Sequence, residues 1–200
     1  VTVLVLARHG ETVWAEGNRY AGGSDVELTP NGEAQARQLA EWARTAELTG
    51  IWSSDLQRAR LTAEACAEVT GLPVKVDARL RELDFGRGEG LTPEEMAAAF
   101  PDALDAFHRD PVANPLPGGE DPVGALERFT QSLDDIAEAD PDGRVLVVAH
   151  GTVIRLRLCR LLGAPPREYR RLFPSMINCA RTEITSAGQL LNFNVPATSS

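Results

Sequence analysis

The sequence predicts an α/β fold: a three-layer sandwich whose mostly parallel sheet is flanked by helices, with a small cap insertion and a C-terminal antiparallel hairpin. Three observations carry that prediction. Two apolar runs, Leu4-Val5-Leu6-Ala7 and Val145-Leu146-Val147-Val148-Ala149, are short, continuous and rich in β-branched residues, as fully buried strands are. Strand and helix patterns alternate as β-α-β-α-β between residues 4 and 76, which implies parallel pairing with right-handed crossovers. Two last strand patterns, near 177–185 and 189–194, surround Ser186-Ala187-Gly188 and read as a hairpin.

After the first strand comes a loop with Gly17, Gly22, Gly23 and Asp25. Thr29-Pro30 then has the form of an N-cap followed by proline at the first helical position. The helix presents Ala36, Leu39, Ala40 and Ala43 on one face. A second strand over 51–53 leads to Ser54, the expected cap of a helix with inner stripe Ala59, Ala63, Cys66 and Val69, ended by Gly71. Residues 73–76 form the third strand. Residues 83–122 are rich in Gly, Pro and acids, with a capping-box signature at Thr92-Pro93-Glu94-Glu95. They are expected to form a cap over the site, with Phe85, Phe100 and Phe107 as core beneath it. A long helix follows, striped by Leu126, Phe129, Leu133 and Ile136. The run from 153 to 162 is a helix interrupted by Arg155, Arg157 and Arg160 and stopped by Gly163 and Pro165. The tail from Pro196 is expected to fray.

At 200 residues the chain fits one domain, 1–200, with room for a sizeable core. A net charge of −9 argues against nucleic acid or an anionic membrane surface as a partner. Lys75 is the only lysine, so cationic recognition falls to arginine, which suits phosphate. Cys66, Cys159 and Cys179 have neither metal-ligand spacing nor a disulfide framework, and Cys66 and Cys159 fall on apolar helix faces. No run reaches membrane-spanning length and no signal-like segment opens the chain, so the expected compartment is the cytoplasm. No unpaired amphipathic helix stands out to indicate an oligomeric state.

The chemistry centres on His9 and His150. Each follows an apolar strand and precedes a glycine, in a chain whose one other histidine, His108, reads as structural. A solitary loop histidine is usually structural too; the repeated placement is what points to function. If strands one and four are neighbours, both histidines face one crevice at the carboxyl edge of the sheet. Arg58 lies in the first turn of a helix, where the macrodipole disfavours a cation unless an anion joins it, whereas Arg60 reads as a surface arginine. With Arg8 beside His9, two guanidinium forks can flank a phosphate. Gly151 opens a helix whose N–H groups can add a further anion site. After the third strand, Glu82 or Asp84 can supply a proton to a departing alcohol.

Taken in order, these stretches resemble the histidine phosphatase superfamily, in its phosphoglycerate mutase-like branch. The matching runs are Leu6-Ala7-Arg8-His9-Gly10-Glu11-Thr12, Glu27-Leu28-Thr29-Pro30-Asn31-Gly32, Ser53-Ser54-Asp55-Leu56-Gln57-Arg58-Ala59, Arg81-Glu82-Leu83-Asp84-Phe85-Gly86, Glu89-Gly90-Leu91-Thr92, Pro117-Gly118-Gly119-Glu120 and Val148-Ala149-His150-Gly151. The resemblance implies His9 as the nucleophile that becomes phosphohistidine and Arg8, Arg58 and His150 as the phosphate pocket. It implies Glu82 as the acid, then the base. Gly22 matches a loop position near phosphate in the mutases. Ala15 departs from the pattern, because many relatives carry Asn after the tryptophan; Asn18 is out of register with it.

The expected function is hydrolysis of a small phosphorylated metabolite through a phosphohistidine, with no metal and no cofactor. Two alternatives stand beside it: cofactor-dependent phosphoglycerate mutase-like transfer, and a catalytically inactive phosphate-binding module. Residues 83–122 carry only Arg87 and Arg109 as cations, which favours hydrolysis over a mutase that holds the phosphoglycerate carboxylate there. The specificity surface is expected from 83–122 with Trp14 and Tyr20.

Overall fold

The computed structural model describes residues 1–198; Ser199 and Ser200, the end of the tail expected to fray, lie outside the described residues. The strands are β1 (Val3–Arg8), β2 (Gly50–Ser53), β3 (Val74–Val76), β4 (Arg144–Ala149), β5 (Arg181–Thr185) and β6 (Leu190–Val195). The helices are α1 (Val13–Glu16), α2 (Pro30–Ala43), α3 (Gln57–Thr70), α4 (Pro93–Ala99), α5 (Pro101–Arg109), α6 (Pro122–Ala139), α7 (Gly151–Leu161) and α8 (Tyr169–Leu172). The sheet runs β3-β2-β4-β1-β5-β6. Its first four strands are parallel, and β5 and β6 join antiparallel as the predicted hairpin.

Strand alternation builds the two outer layers. Leu4 and Leu6 of β1, with Val145, Val147 and Ala149 of β4, face the core formed with α6 and α7. Val5 and Ala7, with Leu146 and Val148, face α2 and α3. The predicted helix faces are the buried ones: Ala36, Leu39, Ala40 and Ala43 on α2, and Ala59, Ala63 and Cys66 on α3. Thr29 caps α2, Thr92 and Glu95 form a capping box on α4, and Gly71 ends α3 in the left-handed region. Phe85 and Phe107 are buried, with Phe100 packed against them. Among the described residues, no helix is long and apolar enough to cross a membrane.

Two boundaries differ from expectation. Ser54 does not cap α3. Its hydroxyl accepts the N–H of Leu56 in a turn before the helix, and Asp25, from the first loop, accepts the N–H of Gln57 at 2.8 Å. The cap is therefore supplied across space by a residue 32 positions earlier. The strand expected from 177 begins at Arg181, because Cys179 takes φ 59° and closes a turn in which Ala180 bonds Ile177.

Candidate active site

The register of β1 against β4 pairs Arg8 with Ala149, so the next residues, His9 and His150, leave the sheet side by side. Their ring centroids are 5.1 Å apart. The N–H of His9 extends the pairing by donating to Ala149 O at 3.1 Å. The glycine after His9 has a steric reason: a Cβ at Gly10 would stand 2.4 Å from the carbonyl oxygen of Gly32, at the start of α2. His9 Nδ1 lies 2.7 Å from the carbonyl oxygen of Gly10. A carbonyl only accepts, so Nδ1 carries the proton and neutral His9 keeps its lone pair on Nε2.

Arg58, in the first turn of α3, is 0 % exposed. Its Nη1 donates to Ser24 O at 2.6 Å and its Nη2 to Gly22 O at 2.7 Å, while Nε has no hydrogen-bond partner among the described residues. The loop that supplies those carbonyls is itself held by one carboxylate. Glu89 accepts the N–H groups of Gly22, Gly23, Ser24 and Phe85 at 3.0, 3.1, 3.3 and 2.9 Å. A Cβ at Gly22 would lie 2.1 Å from Leu83 O, so the loop closes onto the segment after β3 only with glycine there. Gly22, expected beside phosphate, has its N–H taken by Glu89 and its carbonyl by Arg58, and it does not line the cavity.

Glu82 is buried and reaches the start of α7. Its carboxylate accepts the N–H of Thr152 at 2.8 Å and of Val153 at 3.1 Å. The anion site expected at this helix terminus is thus occupied, at those two donors, by the chain's own carboxylate. Asp84 is exposed, bonds the N–H of Gly86 and stays outside the cavity, which leaves Glu82 as the carboxyl group on its wall.

The cavity has a volume of about 290 Å³; its lining includes Arg8, His9, Glu82, Gly151, Thr152 and Arg155. His150 and Arg58 stand behind this lining, both fully buried. Arg8 donates through Nη1 to Met176 O at 2.7 Å. Among the described residues, both ring nitrogens of His150 are without a hydrogen-bond partner. An unsatisfied buried donor costs about 1–3 kcal/mol, which an anion entering the cavity can offset.

Burial pushes His9 well below its ordinary value, and the charges of Arg58 and Arg8 push it further; the Gly10 carbonyl pulls the other way. His150 is also pushed well below, by burial first and then by Arg58, His9 and Arg8. Both rings are therefore neutral near pH 7. Burial pushes the thiols of Cys66 and Cys179 up to about 12, as packed, unreactive cysteines require.

The lining of the crevice differs from the expected specificity surface. Of residues 83–122, only Phe85 lines the crevice, and Trp14 sits against Gly90 instead. Tyr20 does line it. Thr152, Arg155 and residues 174–176 also line it, as do Thr12, Ala15, Arg19 and Ala21 from the first loop. Ala15 lines the first cavity, whereas Asn18 reaches only an adjoining one. Sequence reasoning did not assign Arg155 to the site; its one signal was as the first of three arginines interrupting an apolar helix, four residues after Gly151.

The profile described as the histidine phosphatase superfamily (branch 1) matches residues 4–194. The chain is 38% identical over 186 residues to a probable phosphoglycerate mutase GpmB of Klebsiella pneumoniae, spanning 90% of this chain and 83% of that one. It is 35% identical over 216 residues to the protein of the same name from Yersinia enterocolitica, spanning 97% and 96%. Among solved structures it resembles the mycobacterial glucosyl-3-phosphoglycerate phosphatase Rv2419c complexed with VO3, at 32% identity and a TM-score of 0.87, over 98% of this chain and 100% of that one. It also resembles Bacillus stearothermophilus YhfR, at 30% identity and a TM-score of 0.90, over 100% and 98%.

Proposed function

The chain belongs to branch 1 of the histidine phosphatase superfamily, and on that premise we propose that it hydrolyses a small phosphomonoester through a phosphohistidine at His9. One observation carries the reading: a histidine with its Nε2 lone pair free lies beside a second buried, unpartnered histidine, with Arg8 and Arg58 acting on both.

In the first step His9 Nε2 attacks phosphorus as the bond to the alcohol oxygen breaks, and Glu82 gives that oxygen its proton. Arg8, Arg58 and His150 stabilise the charge on the phosphoryl oxygens during transfer. In the second step Glu82 takes a proton from water, water oxygen bonds to phosphorus, and the P–N bond breaks. Inorganic phosphate leaves and His9 is neutral again. The low proton affinity of His9 suits this cycle, since an imidazolium has no lone pair with which to attack.

The test is direct. Incubation with an aryl phosphate should leave acid-labile, alkali-stable phosphate on the protein, and His9→Ala should abolish both the label and turnover. Full turnover by His9→Ala would overturn the reading. A second reading, phosphoglycerate mutase activity, is favoured by the names of the relatives from Klebsiella and Yersinia. It requires interconversion of phosphoglycerate isomers faster than release of inorganic phosphate. Against it, Arg87 and Arg109, the cations of residues 83–122, both stay off the crevice.

A further inference from the structure

The crevice continues past His9. The first cavity adjoins a second of about 470 Å³, and the two share Arg8, Tyr20, Phe85, Thr152 and Arg155 together with Ala15 and Arg19. The second adds Arg170, from α8. Arg155 is anchored rather than free: Nε donates to Gly151 O at 3.1 Å and Nη1 to Phe173 O at 3.3 Å, and its guanidinium lies 5.0 Å from the ring centre of Tyr169. Arg170 Nη2 donates to the Tyr20 hydroxyl at 3.1 Å, and its guanidinium lies 5.1 Å from the ring centre of Phe107.

Other arginines nearby are paired with carboxylates, including Arg19, which lines both cavities. Arg19 meets Glu95, Arg160 meets Glu127, and Arg167 and Arg171 meet Glu168. Among the described residues, Arg155 and Arg170 have no such ion pair; their hydrogen bonds go to carbonyls and to a phenol. Glu11 is the one carboxylate on the lining of the second cavity, and it accepts the Thr29 hydroxyl. Two like charges held by packing on one crevice repel, and desolvation adds to the cost. An anion between them relieves the repulsion, and its attraction to both offsets the desolvation. Aromatic faces and carbonyls fix each guanidinium in place beforehand, so little freedom is lost when the anion arrives.

We propose that Arg155 and Arg170 form a second anion subsite, which selects phosphomonoesters whose leaving alcohol carries a carboxylate. A carboxylate has two oxygens in one plane, matched by one guanidinium edge from each arginine. Arg8 borders both cavities, so phosphate and carboxylate occupy neighbouring ends of one crevice. Arg87 and Arg109 of residues 83–122 stay off the crevice, and the helices after β4 supply its cations instead. This assignment rests on the phosphatase reading of His9, and it predicts binding that can be measured without turnover.

The experiment uses the full chain carrying His9→Ala, titrated calorimetrically with phosphoglycolate, its carboxyl methyl ester and ethylene glycol bisphosphate. Phosphoglycolate should bind more tightly than its methyl ester. Adding Arg170→Gln should weaken phosphoglycolate roughly ten- to hundredfold while weakening the ester far less. Should Arg170→Gln fail to fold, Tyr20→Phe, which removes the hydroxyl that holds Arg170, should shift the same ratio in the same direction. Equal affinities for acid and ester, or equal losses on substitution, would overturn the subsite. Tighter binding of the bisphosphate than of phosphoglycolate would overturn the carboxylate assignment. Failure of the wild type to form phosphohistidine would instead count against the phosphatase reading, and leaves these affinities to be read separately.

Discussion

Glu82 Oε2 accepts the backbone N–H of Thr152 at 2.8 Å. The carboxyl group proposed as the proton donor therefore also caps the helix that begins directly after His150, and one side chain fixes both its own position and the entrance to α7.

Replacing Glu82 with Gln keeps an oxygen for one of those N–H groups but removes the transferable proton. Alkyl phosphates should lose turnover by roughly 10²–10⁴-fold. Nitrophenyl phosphate, whose leaving group departs without a proton, should still phosphorylate His9. Rapid mixing should then show a burst of one nitrophenol per chain followed by slow turnover, because water activation is lost. Equal losses on both substrates without a burst would rule out this role.

The His9 ring should remain neutral below pH 6.5, its ordinary midpoint. Burial lowers its proton affinity first, then Arg58 and Arg8. Arg58→Gln removes the larger of the two charge effects and should move the midpoint upward. NMR titration of the His9 ring checks both points, and an unchanged midpoint in the variant would contradict the electrostatic account.

Stability should fall on acidification. Because His9 and His150 both have depressed proton affinities in the fold, the unfolded chain binds more protons as pH drops below 6.5. Each histidine contributes fully above that pH and loses about 1.4 kcal/mol per pH unit below it, until the folded form also titrates. His150→Asn should flatten the acid-side slope by one histidine's share in urea melts between pH 7 and pH 5.5.

Glu89 acts on Arg58 through the loop it holds. Its carboxylate takes the Gly22 and Ser24 N–H groups, and the carbonyls of those same residues take the Arg58 guanidinium. Glu89→Gln sets an NH2 donor against two of the N–H groups the carboxylate holds, so it should lower the thermal melt and raise the dissociation constant for inorganic phosphate roughly tenfold. Unaltered phosphate binding would confine Glu89 to loop structure.

Much of the fold was legible because it follows from local rules. The apolar runs at 4–7 and 145–149 became β1 and β4, and Thr29, Gly71 and Thr92 mark helix ends through hydrogen bonds within a few residues. The start of α3 was not legible, since its cap, Asp25, comes from a distant loop. His9 and His150 could be named from their strand-end positions, but their adjacency depends on β1 pairing with β4. Glu82 could be proposed as an acid; that it fills the anion site at the start of α7 could not.

The alternation of elements, the buried faces and the set of polar residues at the strand ends follow from the order of residues alone, because periodicity and capping are written in neighbouring residues. Only the tertiary structure decided which cations meet. Arg155 reads in the chain as one of three arginines interrupting an apolar helix and Arg170 carries no signal there, and packing brings both to one crevice beyond His9. Charge interactions depend on distance and desolvation, and neither exists until the chain has folded.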